Sequence, residues 1–197
     1  NDIPWQIMIE VEPRCNLNCL YCFNRNGFAR KERSPASLKT SVVKNIIDEM
    51  ARLKIPSIRF TGGEPLLRPD IYELLEYAKS KDLNVTVNSN GILIDETAAK
   101  KMNGLADQVL ISIQGTGKTG DKAVGKTGAT QAKIKAISNL QKFANKTKIL
   151  TATVLWSGMM ENNGNELDKI HDLIKNIGGI SRWHLCRCIP EKKELYH

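Results

Sequence analysis

Three of the five cysteines fall within eight residues, in the run Glu12-Pro13-Arg14-Cys15-Asn16-Leu17-Asn18-Cys19-Leu20-Tyr21-Cys22-Phe23. Thiolates at a C-x3-C-x2-C spacing can wrap one face of an iron-sulfur cubane, which ordinarily takes four cysteine ligands, so one iron would be left without a protein ligand. An open coordination position is what separates a catalytic metal site from a closed structural one. The competing chemistry is zinc, with Cys19 and Cys22 as one half of the site and Cys186 and Cys188 as the other. That arrangement gives Cys15 no role. Two cysteines two residues apart on a strand also share a face, and read more simply as small buried residues.

Two further groups carry chemistry or imitate it. Thr61-Gly62-Gly63-Glu64-Pro65 has, on its own, the composition of a tight turn. Ser112 and Gln114 share one face of a strand by the period of two, and polar side chains pointing into a barrel need a polar ligand or a buried partner. Gly120-Asp121-Lys122-Ala123-Val124-Gly125-Lys126-Thr127 satisfies the phosphate-binding pattern G-x4-G-K-[ST], which makes a P-loop nucleotide-binding protein an alternative. Against it, the preceding strand pattern ends well before Gly120, and no strand ends in the acidic residue that would hold magnesium.

The elements that must position these groups alternate strand and helix. Strand patterns cover 7–11, 57–60, 84–87, 108–113, 149–155 and 182–189. Between them apolar residues recur at helical spacing. Leu38, Val42, Ile46, Met50 and Leu53 form one stripe, and Ile71, Leu74, Leu75 and Ala78 a second. Ile134, Ile137, Leu140 and Ala144 form a third, and Leu167, Ile170, Leu173, Ile174 and Ile177 a fourth. A short polar helix is predicted over 95–102; Asp70 with Glu73 makes a capping-box-like start, and Gly104 and Gly178 stand where helix C-caps fall. Such alternation predicts an α/β fold with a parallel sheet and right-handed crossovers, its chemistry at the carboxyl ends of the strands.

Composition bounds the function. At 197 residues, 41% apolar and 25% charged, the chain is one globular domain that needs no metal or disulfide merely to fold, so a metal site is functional first. No apolar run is long enough for a membrane helix and no leader opens the chain, so a soluble, cytoplasmic location is expected, in keeping with the clustered, odd cysteines. The net charge of +8 is local: residues 115–148 hold eight of the 29 bases and only one of the 21 acids, Asp121. Lys135, Lys142 and Lys146 lie opposite the apolar stripe of a helix, whereas Lys118 to Lys126 fall on a loop at the mouth, a charged rim for an anionic partner. The isolated His171, His184 and His197 default to solvated or core positions, and Trp5, Trp156 and Trp183 are expected to pack at barrel ends.

The cysteine loop resembles the signature of the radical S-adenosylmethionine (radical SAM) superfamily, C-x3-C-x-Φ-C, with Tyr21 as the aromatic Φ. Gly62-Gly63-Glu64-Pro65 resembles that superfamily's GGEP motif. The likeness continues through Leu66-Leu67-Arg68-Pro69-Asp70, Asn88-Ser89-Asn90-Gly91 and Ile111-Ser112-Ile113-Gln114-Gly115, and is greatest to SPASM-type enzymes that mature peptides or tetrapyrrole-like precursors. The resemblance implies a partial (β/α)6 TIM-like barrel spanning 1–197, lacking the C-terminal auxiliary-cluster domain of those enzymes. It implies a [4Fe-4S] cluster on Cys15, Cys19 and Cys22. S-adenosylmethionine on the open iron would be cleaved reductively to a 5'-deoxyadenosyl radical that abstracts hydrogen from a substrate.

In that scheme Tyr21 lies beside the adenine, Gly62 and Gly63 approach the cofactor's methionine end, Glu64 accepts from its ammonium group and Pro65 stiffens the turn. Ser112 and Gln114 are the ribose and carboxylate candidates, with Ser89 and Asn90 as further ones. The implied partners are an electron donor such as flavodoxin or ferredoxin and a peptide or small-molecule substrate, with neither membrane nor nucleic acid. The third class, a zinc-stabilised nucleic-acid-binding module, rests on the cysteines and the positive charge alone. One departure stands out. Where the family often runs H-D-x-x-R-G-x-x-G after the fourth strand, this chain has Gly120 at the His place and Val124 at the Arg place, which makes Lys126 the candidate replacement cation.

Overall fold

Among the described residues six parallel strands lie side by side in chain order, β1 (Ile7–Glu12), β2 (Ser57–Gly62), β3 (Asn84–Ser89), β4 (Gln108–Ser112), β5 (Lys148–Leu155) and β6 (Ile180–Arg187). The computed structural model describes residues 3–22, 37–159 and 165–187. Helices α1 (Thr40–Arg52), α2 (Ile71–Ser80) and α3 (Glu96–Met102) return the chain after the first three strands. Two helices, α4 (Gly117–Val124) and α5 (Ala129–Phe143), fill the β4–β5 connection, and α6 (Glu166–Ile177) the last. All strand pairs being neighbours in sequence, each crossover packs on the same outer side, which gives the partial barrel its helical coat.

The core lies between strands and helices. Ile9, Val11, Ile58, Phe60, Val85, Val87, Val109, Ile111 and Ile149 alternate along their strands and meet Val43, Ile47, Leu74, Leu75, Ile137 and Leu140 from the helices. Strand alternation therefore turns the intervening residues into the lumen. The predicted stripe on α1 is displaced by one residue: Val43, Ile47 and Met50 are buried, while Leu38, Val42 and Leu53 are exposed. Two adjacent valines let the periodicity be read on either face. Asp95 caps α3, accepting from Ala98 N at 2.7 Å; Asp70 stands at the N-cap of α2 but its side chain instead pairs with Arg68 at 2.8 Å.

The phosphate-loop pattern is not a phosphate loop. Residues 117–124 are helical, and Gly125 is the left-handed C-cap of α4, so the pattern runs down a helix into its carboxyl end. A phosphate loop needs the opposite polarity, with amides converging on a helix N-terminus. The expected loop at 118–126 is thus mostly helix. Trp5 is 72% exposed rather than packed at a barrel end, whereas Trp156 and Trp183 are partly buried against the core. No helix among the described residues is long and apolar enough to cross a membrane. Cys188 and His197 lie outside the described residues.

Candidate active site

The carboxyl end of β1 sets the cysteine loop against the turn after β2. Glu12 is fully buried and accepts from Arg14 N at 3.0 Å, Arg14 Nε at 2.8 Å and Ser37 Oγ at 2.9 Å. Those bonds to Arg14, with the cation's charge, hold its pKa down at about 2. Its carbonyl accepts from Gly63 N at 2.7 Å, and that of Arg14 from Glu64 N at 2.8 Å. This contact explains both glycines: a Cβ on Gly62 would stand 2.2 Å from the Glu12 carbonyl oxygen, and one on Gly63 2.3 Å from that of Arg14. Gly62 also holds a φ of +149°, which favours glycine. Their small size is demanded by the cysteine loop itself.

Glu64 is likewise fully buried and engaged by its own chain. Oε1 accepts from Leu66 N at 3.1 Å and Ser89 Oγ at 2.9 Å, and Oε2 from Asn90 N at 2.7 Å. Burial pushes its pKa up against the pull of these donors. The carboxylate thus ties the ends of β2 and β3 together, and Pro65 begins a 3-10 turn behind it. Asn90 continues the network, donating from Nδ2 to Asn16 Oδ1 at 2.7 Å and to Cys15 Sγ at 3.8 Å. Gln114 is also buried and structural: Oε1 accepts from Val154 N at 2.6 Å, joining the ends of β4 and β5.

The far side of the cysteine loop rests on the β4–β5 helices. Asn18 N and Leu20 N donate to the carbonyls of Val124 and Ala123 at 3.0 and 2.9 Å. Leu17 packs with Ala123, Val124 and Ala129, joined by Cys15, Cys19 and Tyr21. Val124, at the Arg place of the family pattern, is therefore a core residue under the loop. Lys126 is exposed and does not take over that place.

Between these supports opens a cavity of about 440 Å³, within the ordinary range of small-molecule sites. Cys15, Cys19, Cys22, Tyr21, Gly62, Gly63, Ser89, Asn90 and Ser112 line it, together with Glu10, Thr61, Asn88 and Lys133. Of the predicted residues, Glu64, Pro65 and Gln114 stand behind the wall. Burial raises the thiol pKa values of Cys15 and Cys19, while a hydrogen bond from Tyr21 and the charge of Lys133 favour the Cys19 thiolate. Burial also raises that of the Tyr21 phenol.

Lys133 of α5 is the residue that motif reading missed. It is buried, and burial lowers its pKa to about 8 despite the negative groups Cys19, Asp121, Cys15 and Glu64 around it. It makes no hydrogen bond and no ion pair within 4 Å among the described residues. The signal was present in the spacing. Residues 133, 137 and 140 fall on one helical face, so a lysine occupies a position of the apolar stripe.

The donor set tests which metal group fits. No three His, Cys, Asp or Glu side chains among the described residues gather closely enough for a single ion, and Cys186 is exposed on β6 rather than paired with the loop. The zinc arrangement is not formed by the described residues. Three half-buried thiols spread around one wall suit a cluster, which offers each thiolate a separate iron.

A parallel barrel whose strand ends carry a three-cysteine loop over a glycine turn defines an iron-sulfur enzyme core. Residues 9–174 match the family model of the radical SAM superfamily, and the chain belongs to that superfamily, whose enzymes use a [4Fe-4S] cluster and S-adenosylmethionine. Among curated relatives, Fe-coproporphyrin III synthase of Methanosarcina barkeri is 36% identical over 129 residues, 65% of this chain and 32% of the relative. The PqqA peptide cyclase of Gluconobacter oxydans is 31% identical over 139 residues, 70% of this chain and 38% of the relative. The structure of Streptococcus suis SuiB bound to S-adenosylmethionine superposes with a TM-score of 0.79 at 18% identity, covering 97% of this chain and 42% of that one. The matched segments cover about a third of the length of these two relatives.

Proposed function

We propose that this chain is the catalytic core of a radical SAM enzyme that matures a peptide or a cofactor precursor, with Cys15, Cys19 and Cys22 holding the cluster. The observation that carries the reading is the convergence on one cavity of the three cysteines, the Gly62-Gly63 turn and the buried cation Lys133. Bound there, the cluster and S-adenosylmethionine would supply the radical chemistry that removes a hydrogen atom from a substrate.

The chain's own residues bind, orient and exclude water. Gly62 and Gly63 present backbone to the methionine end of the cofactor, and Lys133 meets its carboxylate in the role that Val124 cannot fill. Ser89, Asn90 and Ser112 offer polar contacts to ribose and amino groups, and Tyr21 closes the adenine side. Glu64 acts at one remove, fixing Ser89 and Asn90, in place of the direct contact expected for it; Gln114 does the same for the β4 and β5 ends. Leu17 with Val124 seals the loop from water. A reductant of the flavodoxin or ferredoxin class in the cytoplasm would supply the electron.

Anaerobic reconstitution tests the assignment. The expected result is about four irons per chain with the broad visible absorption of a cluster, both lost in Cys19→Ala, and release of 5'-deoxyadenosine with dithionite from the wild type only. Stoichiometric zinc with no iron uptake overturns it.

A further inference from the structure

The lumen below the cysteine cavity carries buried polar groups that the cofactor does not use. Ile58 and Phe60 of β2 and Val85 and Val87 of β3 pack outward, so Arg59, Thr86 and Asn88 face inward. On β6 Trp183 faces outward, donating Nε1 to Thr153 Oγ1 at 2.9 Å, and His184 faces inward beside Ala152 of β5. Arg59 Nε, Thr86 Oγ1, Asn88 Oδ1 and His184 Nε2 are all shielded from solvent, and none has a hydrogen-bond partner.

These groups belong together. Arg59 stands beside Thr86 in the β2–β3 register, and Arg59 makes no ion pair among the described residues. Burial, together with the nearby charges of Arg182 and Arg59, lowers the pKa of His184, so a neutral imidazole stands near two guanidinium groups. Asn88 also lines the cavity above, which puts these groups next below the cysteine site. The barrel is open at its side as well. β1 and β6 do not pair with each other, and the inward-facing Met8 of β1 is 63% exposed. An unpartnered cation and polar atoms inside a barrel cost stability, and an arginine fork matches a carboxylate in two parallel bonds. Glu10 lies higher, on the cavity wall, and repels an anion toward the lower position.

We propose that the lumen binds a carboxylate of the substrate, held by Arg59 with Thr86 and His184, so that the substrate's reacting position points up toward the cysteine loop. The substrate class is thus an anionic molecule rather than a neutral one. The identification of this group as substrate rests on the radical SAM reading; the anion site itself does not.

Ligand-observed NMR on the full chain, with and without reconstituted cluster and S-adenosylmethionine, tests the site with succinate, inorganic phosphate and uncharged succinamide. Succinate is expected to bind in preference to both, with an affinity about tenfold or more weaker in Arg59→Gln and partly restored in Arg59→Lys. His184→Gln carries the same comparison if Arg59→Gln does not fold. Equal binding of succinate and succinamide, preference for phosphate, or succinate binding untouched by both variants overturns the proposal. A chain that takes up iron and S-adenosylmethionine yet shows no succinate preference refutes the lumen site alone. One that takes up no iron refutes the cofactor reading, and succinate still decides the lumen on the iron-free chain.

Discussion

The turn around Glu64 and the space around Lys133 and Arg59 are both built from buried polar side chains, and they are finished differently. Glu64 has three donors from its own chain, and the amides and hydroxyl that serve it are satisfied in return. Arg59 Nε is buried without a partner, and Lys133 lines the cavity with only the longer-range attraction of Cys19, Asp121, Cys15 and Glu64. Satisfied burial fixes a backbone, whereas unsatisfied burial costs stability and is recovered by a ligand. Two regions a few residues apart in space thus divide into frame and receptor.

Removing the frame should have the largest effect. Glu64→Ala strips Ser89 Oγ, Asn90 N and Leu66 N of their acceptor at once, and should cost about 4 kcal/mol in urea unfolding, since each abandoned buried donor costs roughly 1–3 kcal/mol. Glu64→Gln keeps one acceptor oxygen and should cost less than half as much. A loss under about 1 kcal/mol for the alanine variant would erase the distinction between frame and receptor.

Lys133→Met should do the reverse. The methionine fills similar volume and removes a buried unpaired cation, so stability should be unchanged or rise by about 1 kcal/mol, while S-adenosylmethionine affinity, read by equilibrium dialysis on the reconstituted protein, falls about tenfold or more. A large loss of stability with unchanged affinity would make Lys133 part of the frame instead.

How much of this was legible in the sequence follows the same division. The strands and five of the helices were readable, α4 reading instead as a loop, because alternation and the 3.6-residue period are enforced by burial, as in Ile71, Leu74, Leu75 and Ala78, all of which are buried. The cysteine loop and the Gly62-Gly63 turn were readable as motifs. The roles within the turn were not, because a carboxylate facing a ligand and one facing three backbone and hydroxyl donors have the same letter. Contacts across 74 residues, such as Asn90 to Asn16, leave no local signature. Lys133 was passed over while Lys135, Lys142 and Lys146 read as the outer face of the crossover helix, although the place of Lys133 in the stripe pointed inward. Arg59 escaped notice, and His184 defaulted to a solvated or core position, because strand alternation makes a polar inward residue look like an ordinary surface one.

The smallest expected effect sharpens the boundary of the frame at its wet edge. Glu12 is buried, but its partner Arg14 is 63% exposed, so the pair is partly screened by water. Its pKa falls from an ordinary 4.5 to about 2, chiefly through the Arg14 hydrogen bonds. A depressed carboxylate pKa contributes stability that is fully present above the unfolded value and is lost as pH falls through the folded one. Thermal melting should therefore decline between about pH 4.5 and pH 2, and Glu12→Gln should flatten that decline while lowering the neutral-pH melting point only modestly. If the variant keeps the full acid dependence, other carboxylates govern it. The cysteine loop would then be held to the β2 turn by the two backbone bonds to Gly63 and Glu64 alone, and the frame would end at Glu64 rather than extend to the strand that carries the cysteines.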